Sequence, residues 1–420
     1  MKKAFLFAAL ACLGNAASAY LQLNVPNPTT PFAFQWFEPS SSMWMQGGFG
    51  NGTLSPTVNP DFSKDYFYQG SAWYRGKKQG TAGQPREYQV SNFYETKQTS
   101  PSSGYSKAFE TVDGVGNVID VTYEFILRSM GPNKGVITCN WTVRNNKTDQ
   151  YQIDFFPYID LQTDPAPFSD SVSYNAAKSM FTYSSSVRDR PTLHVKAMGQ
   201  PVVSYEAAYY FTLRGKLSNT TKDIQLASTV PSPFIEDDLA TAFHHILQIP
   251  GLQSRTGSYA VGINVEPGTL VNVNGEAALN DYLGDATKVP VTLEVLLPGT
   301  DTVVESIATY VGASDEYTTT LMSRGTFDIG IRGSHWLRSR LTNVTITEGT
   351  PLSLDAVVLR NGDVNGDNSI DLLDYFRMSD AYNTEKFDPL FDASADLNGD
   401  DAVDLLDYFI LSDNYNIFGD

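Results

Sequence analysis

The sequence predicts a mostly β chain: a large antiparallel β-sandwich, a small second β-sandwich and a short α-helical module at the C-terminus. Three observations predict it. Alternating runs rich in Tyr, Phe, Val and Thr recur between Gly, Pro and Asn turns across residues 20–358, the pattern of half-buried strands. One stretch, IEDDLATAFHHILQI, spaces its apolar residues Leu239, Phe243, Ile246 and Leu247 as a helix would, and reads equally as a strand-edge segment. The last sixty residues repeat one twelve-residue acidic pattern, 33 positions apart, each copy followed by a helix-length segment.

The chain opens with MKKAFLFAALACLGNAASAY. Lys2 and Lys3, the apolar run Phe5–Leu13 and Ala17-Ser18-Ala19 read as a secretory signal over residues 1–19, cleaved after Ala19. Cys12 behind Ala9-Leu10-Ala11 offers a lipid anchor as the alternative. Cleavage leaves Cys139 as the sole cysteine, which excludes an intrachain disulfide; within GVITCNWTV it reads as a buried thiol. No later apolar run is long enough to span a bilayer. The expected location is extracellular or at a cell surface.

Residues 20–267 form the predicted large sandwich, from strands such as REYQVSNFYETK, NVIDVTYEFILRS, GVITCNWTVRNN, YQIDFFPYIDLQ and AAYYFTLRG. Residues 268–358 supply six or seven further strand candidates, a normal count for a small sandwich. LPGTD at 297–301 reads as a hairpin turn between two of them. Residues 359–420 form the acidic module. Net charge is −18, and residues 361–420 carry 15 acids against 2 bases, leaving only −5 for the other 360 residues. That distribution excludes a basic nucleic-acid footprint.

The two acidic loops read DVNGDNSIDLLD and DLNGDDAVDLLD. Oxygen-bearing side chains fall at loop positions 1, 3, 5, 9 and 12: Asp363, Asn365, Asp367, Asp371 and Asp374, then Asp396, Asn398, Asp400, Asp404 and Asp407. A backbone carbonyl at position 7, from Ser369 or Ala402, completes a ligand set for one Ca2+ per loop, two in all. Position 6, where such loops turn sharply, is Asn368 or Asp401; both types tolerate the left-handed conformation. Four carboxylates around one point repel one another, so folding of this module is expected to be calcium-linked.

This tandem pair, with Asp at position 12 and DYFRMSDAYN or DYFILSDNYN behind, resembles the dockerin family. The resemblance implies a secreted bacterial protein that plugs into a cohesin-like or other extracellular receptor. It places partner-binding residues at loop positions 10, 11, 17 and 18: Leu372, Leu373, Ser379 and Asp380, and Leu405, Leu406, Ser412 and Asp413. Dockerins often carry hydroxyl or aliphatic residues at the first pair and basic ones at the second, so calcium binding carries over better than cohesin binding. Upstream, the order of a V-x-L-x-V strand, Gly325-Thr326-Phe327-Asp328-Ile329 and GSHWLR resembles the carboxypeptidase-regulatory or transthyretin-like fold, which implies a spacer or adhesion role. YQGSAWYRGKKQGTAGQPREYQVSNF is similar to bacterial secreted β-sandwich proteins of unassigned role.

No nucleophile elbow, phosphate loop or dinucleotide fingerprint appears, and no catalytic residue is assigned. His244 and His245 are adjacent and diverge on any regular element; His335 beside Trp336 reads as packed. Glycoside hydrolysis needs only two carboxylates, for which Glu38, Glu87, Asp120, Glu124, Asp154, Asp160 and Asp164 are candidates. Asp154 and Asp160 would share one face of an extended strand. Trp36, Phe37, Trp44, Trp73 and Tyr74 read first as core residues; those that are exposed would stack on sugar rings, Trp44 and Trp73 being the first to examine. The sequence thus favours calcium-dependent docking of a β-sandwich body. The alternative is a polysaccharide-degrading hydrolase, or a carbohydrate-binding protein, carried by the module, with polysaccharide as a further partner.

Overall fold

The computed structural model describes residues 20–25, 32–37, 44–49, 64–81, 88–100, 102–112, 114–163, 170–218, 225–231 and 238–420. The expected signal, Cys12, Glu38, Glu87, Asp164 and the side chains of Trp36, Phe37 and Trp44 lie outside them.

The β-rich pattern of the body becomes two facing sheets. One runs, in spatial order, Tyr20–Val25, Phe32–Phe37, Trp44–Phe49, Lys64–Lys78, Tyr151–Leu161, Leu239–Ile249 and Ser204–Tyr209. The other runs Asp170–Asn175, Met180–Ser185, Leu193–Met198, Ser254–Ile263, Gly135–Asn145 and Val115–Ser129, then Ser103–Val112 and Phe93–Ser100. Alternate side chains of each enter one core. Aromatic rings join the sheets across it: Trp141 meets Phe155 at 4.8 Å, Phe181 meets Phe243 at 5.1 Å and Phe34 meets Phe125 at 5.1 Å. Cys139 lies buried in this core, and burial pushes its thiol up to about 12. It is packing, not a nucleophile.

Two local readings are corrected. Leu239–Ile249 is a strand hydrogen-bonded on both sides, not a helix. A central strand covered on both faces is apolar almost throughout, and such a run mimics helical spacing. AAYYFTLRG, read as one strand, splits at Tyr209; a short helix, α1 (Tyr210–Leu217), turns back over the sheet through Leu213 and Leu217. Trp73 and Tyr74 are buried rather than exposed for stacking.

Downstream, Val303–Tyr310, Pro290–Leu296, Gly325–Arg332 and Ser339–Ile346 form one antiparallel sheet. Val271–Leu279 pairs with Glu316–Leu321 on one side and with Leu352–Ser353 and Val357–Leu359, in parallel, on the other. Between them lies a second core built on Val273, Leu293, Ile329 and Trp336. The LPGTD segment makes the expected turn, with Gly299 left-handed at φ +68 and Thr300 N–H donating to the Leu297 carbonyl at 3.0 Å.

The two sandwiches share an edge. Ser129 pairs with Ser306, and the Ser100 and Ser102 hydroxyls donate to the Ala308 carbonyl at 3.1 and 2.6 Å. Beside them Arg128 and Glu305, both fully buried, face each other at 3.6 Å. The body is thus locked to the small sandwich by polar contacts that need a fixed geometry.

Candidate calcium loops and docking face

Each acidic loop closes on its own backbone. Asp363 accepts N–H bonds from Gly366 and Asn368 at 2.8 and 3.0 Å; Asp396 accepts from Gly399, Asp400 and Asp401 at 2.8, 3.2 and 3.0 Å. Asn368 and Asp401 are left-handed at φ +70 and +67, as the turn at position 6 requires. The loop then enters a helix: α2 (Leu372–Ala381) is capped by Asp371 and α3 (Leu405–Asp413) by Asp404. Position 12 completes a capping box in both copies. Asp374 accepts from Asn365 and Asp371 at 2.9 and 2.8 Å, and Asp407 accepts from Leu397, Asn398 and Asp404 at 2.8, 3.1 and 2.8 Å. One carboxylate therefore ties each loop's start to its helix.

Among the described residues, no three Asp, Glu, His or Cys groups converge as a cluster of metal-binding side chains. The loops offer instead a mixed set of carboxylate, Asn amide and backbone oxygens, which is the chemistry a hard cation takes. Burial supports that fit. It pushes the Asp363 carboxyl up to about 6, with the Asp374 and Asp367 charges adding to it and the Asn368 and Gly366 N–H groups opposing. Burial likewise raises Asp374, Asp396 and Asp407. Among the described residues these acids have no ion-pair partner, and a divalent cation would supply the counter-charge.

A pH dependence follows for the cation-free chain. Asp363 titrates at about 6 folded against an ordinary 3.8. A raised folded value means the native state binds the proton more tightly, so its contribution is full below about pH 4 and is lost as pH rises through about 6. Melts of the module in chelator are expected to show lower stability near neutrality than near pH 4, with calcium reversing the order. A flat or rising profile in chelator contradicts this.

The module's core is Val364, Ile370, Met378 and Ala381 with Leu397, Val403 and Leu411. Positions 2 and 8 of each loop fill it. The repeated Leu and Phe positions do not. Exposure of Leu372 and Leu405 is 50% and 51%, of Leu373 and Leu406 57% and 53%, and of Phe376 and Phe409 53% and 52%. Ser379, Asp380, Ser412 and Asp413 are also exposed. All eight sequence-assigned docking residues thus face outward. Phe376 and Phe409, with Tyr375 and Tyr408, are exposed beside them and were not among the residues singled out from the sequence; their identity in both repeats was the available signal.

The small sandwich braces both loops. Gly362 and Asp363 N–H groups donate to the His335 carbonyl, both at 3.0 Å, and the Arg338 N–H donates to Asn368 Oδ1 at 2.8 Å. Leu283 N–H donates to the Asn398 carbonyl at 2.8 Å. Leu337 sits in the module's core although it precedes the module. Leu337→Ala is expected to cost about 2–4 kcal/mol in the module's own unfolding transition and to weaken calcium binding; an unchanged calcium titration would refute the bracing.

The remaining candidates separate. His245 packs on Trp141 and burial lowers its imidazole to about 4. His335 stacks on Trp336 at 3.7 Å, with burial lowering it to about 3. His244 stands on the opposite face from His245, stacked on Phe156 at 4.5 Å, with Nδ1 3.2 Å from Ser204 Oγ and Nε2 3.7 Å from Asp154 Oδ1. Burial would raise Asp154, but His244 and Arg75, whose Nε lies at 2.5 Å, hold its carboxyl below the usual range. Asp154 is thus shared between Arg75 and His244. Asp154 and Asp160 do share a face, yet six residues of continuous strand span roughly 20 Å, far beyond the separation of a glycosidase pair. Asp120 and Glu124 lie on the Val115–Ser129 strand, where Glu124 accepts from Asn140 at 2.9 Å.

Residues 361–414 match the family model described as the dockerin type I domain. Dockerins of this type bind calcium and cohesin partners, and proteins that carry them are typically extracellular or surface-bound. No curated protein matches the chain. Solved structures it is similar to include a mutant of a type II cohesin-X-dockerin complex from Acetivibrio cellulolyticus, at 22% identity over 36% of this chain and 97% of that chain, TM-score 0.29. Others are a polysaccharide lyase, at 10% identity over 79% of this chain and 48% of that chain, TM-score 0.32, and a 4-alpha-glucanotransferase from Thermococcus litoralis, at 8% over 60% and 40%, TM-score 0.29. Scores this low leave the argument to the chain's own residues. No helix among the described residues is long and apolar enough to cross a membrane.

Proposed function

We propose that this chain, which carries a type I dockerin domain at residues 361–414, is a secreted protein held to an extracellular cohesin-like receptor, with two calcium ions ordering the docking module and the β-sandwich body as its cargo. Calcium would be held by Asp363, Asn365, Asp367, Asp371 and Asp374 with the Ser369 carbonyl, and by Asp396, Asn398, Asp400, Asp404 and Asp407 with that of Ala402. When bound, it neutralises the buried acids and fixes the entry angle of each helix.

The observation that carries this reading is the duplicated apolar face. Leu372, Leu373 and Phe376 on α2 match Leu405, Leu406 and Phe409 on α3 in both identity and exposure. A monomer gains nothing from repeating a costly exposed patch, whereas a receptor gains a surface to bury. Ser379, Asp380, Ser412 and Asp413 supply a polar, acidic rim where basic residues would be usual, so the matching receptor has a neutral or basic rim.

The two copies are near-equivalent, so a change in one leaves the other able to dock. Leu373→Arg combined with Leu406→Arg is expected to weaken binding to a matching cohesin roughly 100-fold, about 2.7 kcal/mol, and either single change far less. Surface plasmon resonance against immobilised cohesins, with calcium and with chelator, reads this out. Calcium-independent binding, or binding indifferent to the double substitution, would refute it.

A further inference from the structure

The two acidic loops carry the same Asn-Gly pair at positions 3 and 4, yet the rest of the chain treats the two pairs differently. Gly366 and Gly399 are both left-handed, at φ +79 and +77. Gly366 is exposed, and a Cβ there would meet nothing within 4 Å. A Cβ at Gly399 would run into Cε2, Cζ and Oη of Tyr282, a residue of the small sandwich. Leu283 and Gly284 N–H groups donate to the Asn398 carbonyl at 2.8 and 3.2 Å. The matching Asn365 carbonyl accepts no hydrogen bond among the described residues. Asn398 is buried, whereas Asn365 is half-buried. The turn that reaches the second loop is fixed from behind. Past the Val271–Leu279 strand, the Asn280 carbonyl accepts from Trp336 Nε1 at 3.1 Å and Asn361 Nδ2 at 3.3 Å, and the chain turns at Asp281, left-handed at φ +57. The Tyr282 ring then stands edge-on to the buried Trp336 at 5.4 Å. The first loop is tied to the same sandwich elsewhere, through the Gly362 and Asp363 N–H groups and the Asn368 side chain.

We infer that Tyr282, with the Leu283 and Gly284 N–H groups, is a clamp on positions 3 and 4 of the second loop, so that the small sandwich makes the second calcium site the slower to release its ion. The inference rests on the calcium reading of the two loops given above. An ion leaves such a loop when the oxygens at positions 1, 3 and 5 swing away from it, and that motion needs the backbone from Asn398 to Asp400 to move. In the second loop this backbone is hydrogen-bonded to a fixed turn and covered by a ring. In the first loop the same stretch faces solvent at Gly366 and Asp367. The donor set is the same in both loops apart from the residue lending its carbonyl at position 7, so ligand charge does not separate them. Rigidity does, and rigidity sets calcium affinity alongside charge. As calcium falls, α3 and its half of the docking face therefore outlast α2. Tyr282 acts through the loop backbone and is a positioning residue, not a ligand.

The test is stopped-flow release of calcium from the full chain into a fluorescent chelator. Two phases are expected; Asp363→Ala and Asp396→Ala assign them, the slow phase vanishing with Asp396→Ala. Tyr282→Ala is expected to speed the slow phase about tenfold, as the loss of one aromatic contact of this size would, and to leave the fast phase unchanged. Tyr282→Phe keeps the ring and should keep the slow phase. Because Tyr282→Ala also strips a contact from Trp336, a pair of glycine variants gives an independent reading. Gly366→Ala and Gly399→Ala impose the same left-handed strain, but only Gly399→Ala meets Tyr282. It should therefore speed its own loop more than Gly366→Ala speeds the other, and lose that excess when combined with Tyr282→Ala. A parent chain that binds no calcium overturns the calcium reading and this inference with it. Two ions bound but released at one rate, a slow phase indifferent to Tyr282→Ala, or equal effects of the two glycine variants on their loops overturns the clamp alone.

Discussion

Asp407→Ala is expected to abolish calcium binding at the second loop and to destabilise the C-terminal module by on the order of 4 kcal/mol. The carboxylate is fully buried and accepts three backbone N–H groups, from Leu397, Asn398 and Asp404. Ala removes all three acceptors at once and leaves the donors in a space water does not readily enter. Charge-assisted bonds of this kind contribute about 1.5–3 kcal/mol each and are not additive. The same substitution breaks the capping box of α3. Asp407→Asn is the informative companion: it keeps an acceptor oxygen while removing the charge a cation needs. Calorimetry should show one calcium site lost in both variants, with chelator-treated Asp407→Asn the more stable of the two. Two intact calcium sites in Asp407→Ala would remove position 12 from the ligand set.

Glu305→Ala is the second large effect, expected at roughly 3–5 kcal/mol. Glu305 accepts N–H bonds from Met322 and Ser323 at 2.8 and 2.7 Å and faces Arg128 at 3.6 Å. Arg128 donates to the Thr320 carbonyl at 3.2 Å and to Thr138 Oγ1 at 3.2 Å; burial lowers it to about 10 despite the Glu305 charge. Removing the acid strands a buried guanidinium at the seam between the two sandwiches. A paired replacement, Arg128→Met with Glu305→Leu, should recover much of the loss, because an apolar pair incurs no desolvation. Denaturant unfolding of the three variants tests this. A single variant as stable as the parent would show the pair to be dispensable, and a double variant no better than the singles would place the loss in the Met322 and Ser323 contacts.

The body illustrates where local pattern is a reliable guide. Val121, Tyr123, Phe125 and Leu127 alternate with polar neighbours because one face of their strand meets the core, and that alternation is visible in the letters. Leu239–Ile249 lacks it because both its faces are covered, and there the apolar spacing misleads. The break at Tyr209 was equally hidden: α1 forms because Leu213 and Leu217 find the outer face of a distant strand pair, a long-range contact with no local signature.

By itself the sequence determined the β class, the concentration of acid at one end and both loops, down to the residues placed at positions 1, 3, 5, 6, 7, 9 and 12. Loop chemistry is local: Asp, Asn and Gly act on backbone groups within a few residues, so order along the chain suffices. Only the tertiary structure decided which side of α2 and α3 is a surface. Leu373 and Met378 look alike as letters, yet one is exposed and the other buried, because the core is filled by Val364, Ile370, Leu397 and Val403 and by Leu337 from the preceding sandwich. The same holds for Gln69, Ser71, Tyr158 and Asp160: four unremarkable polar residues far apart in sequence, brought side by side by strand register and then sealed from water. Register and burial depend on every strand at once, which is why no stretch of the sequence announces them.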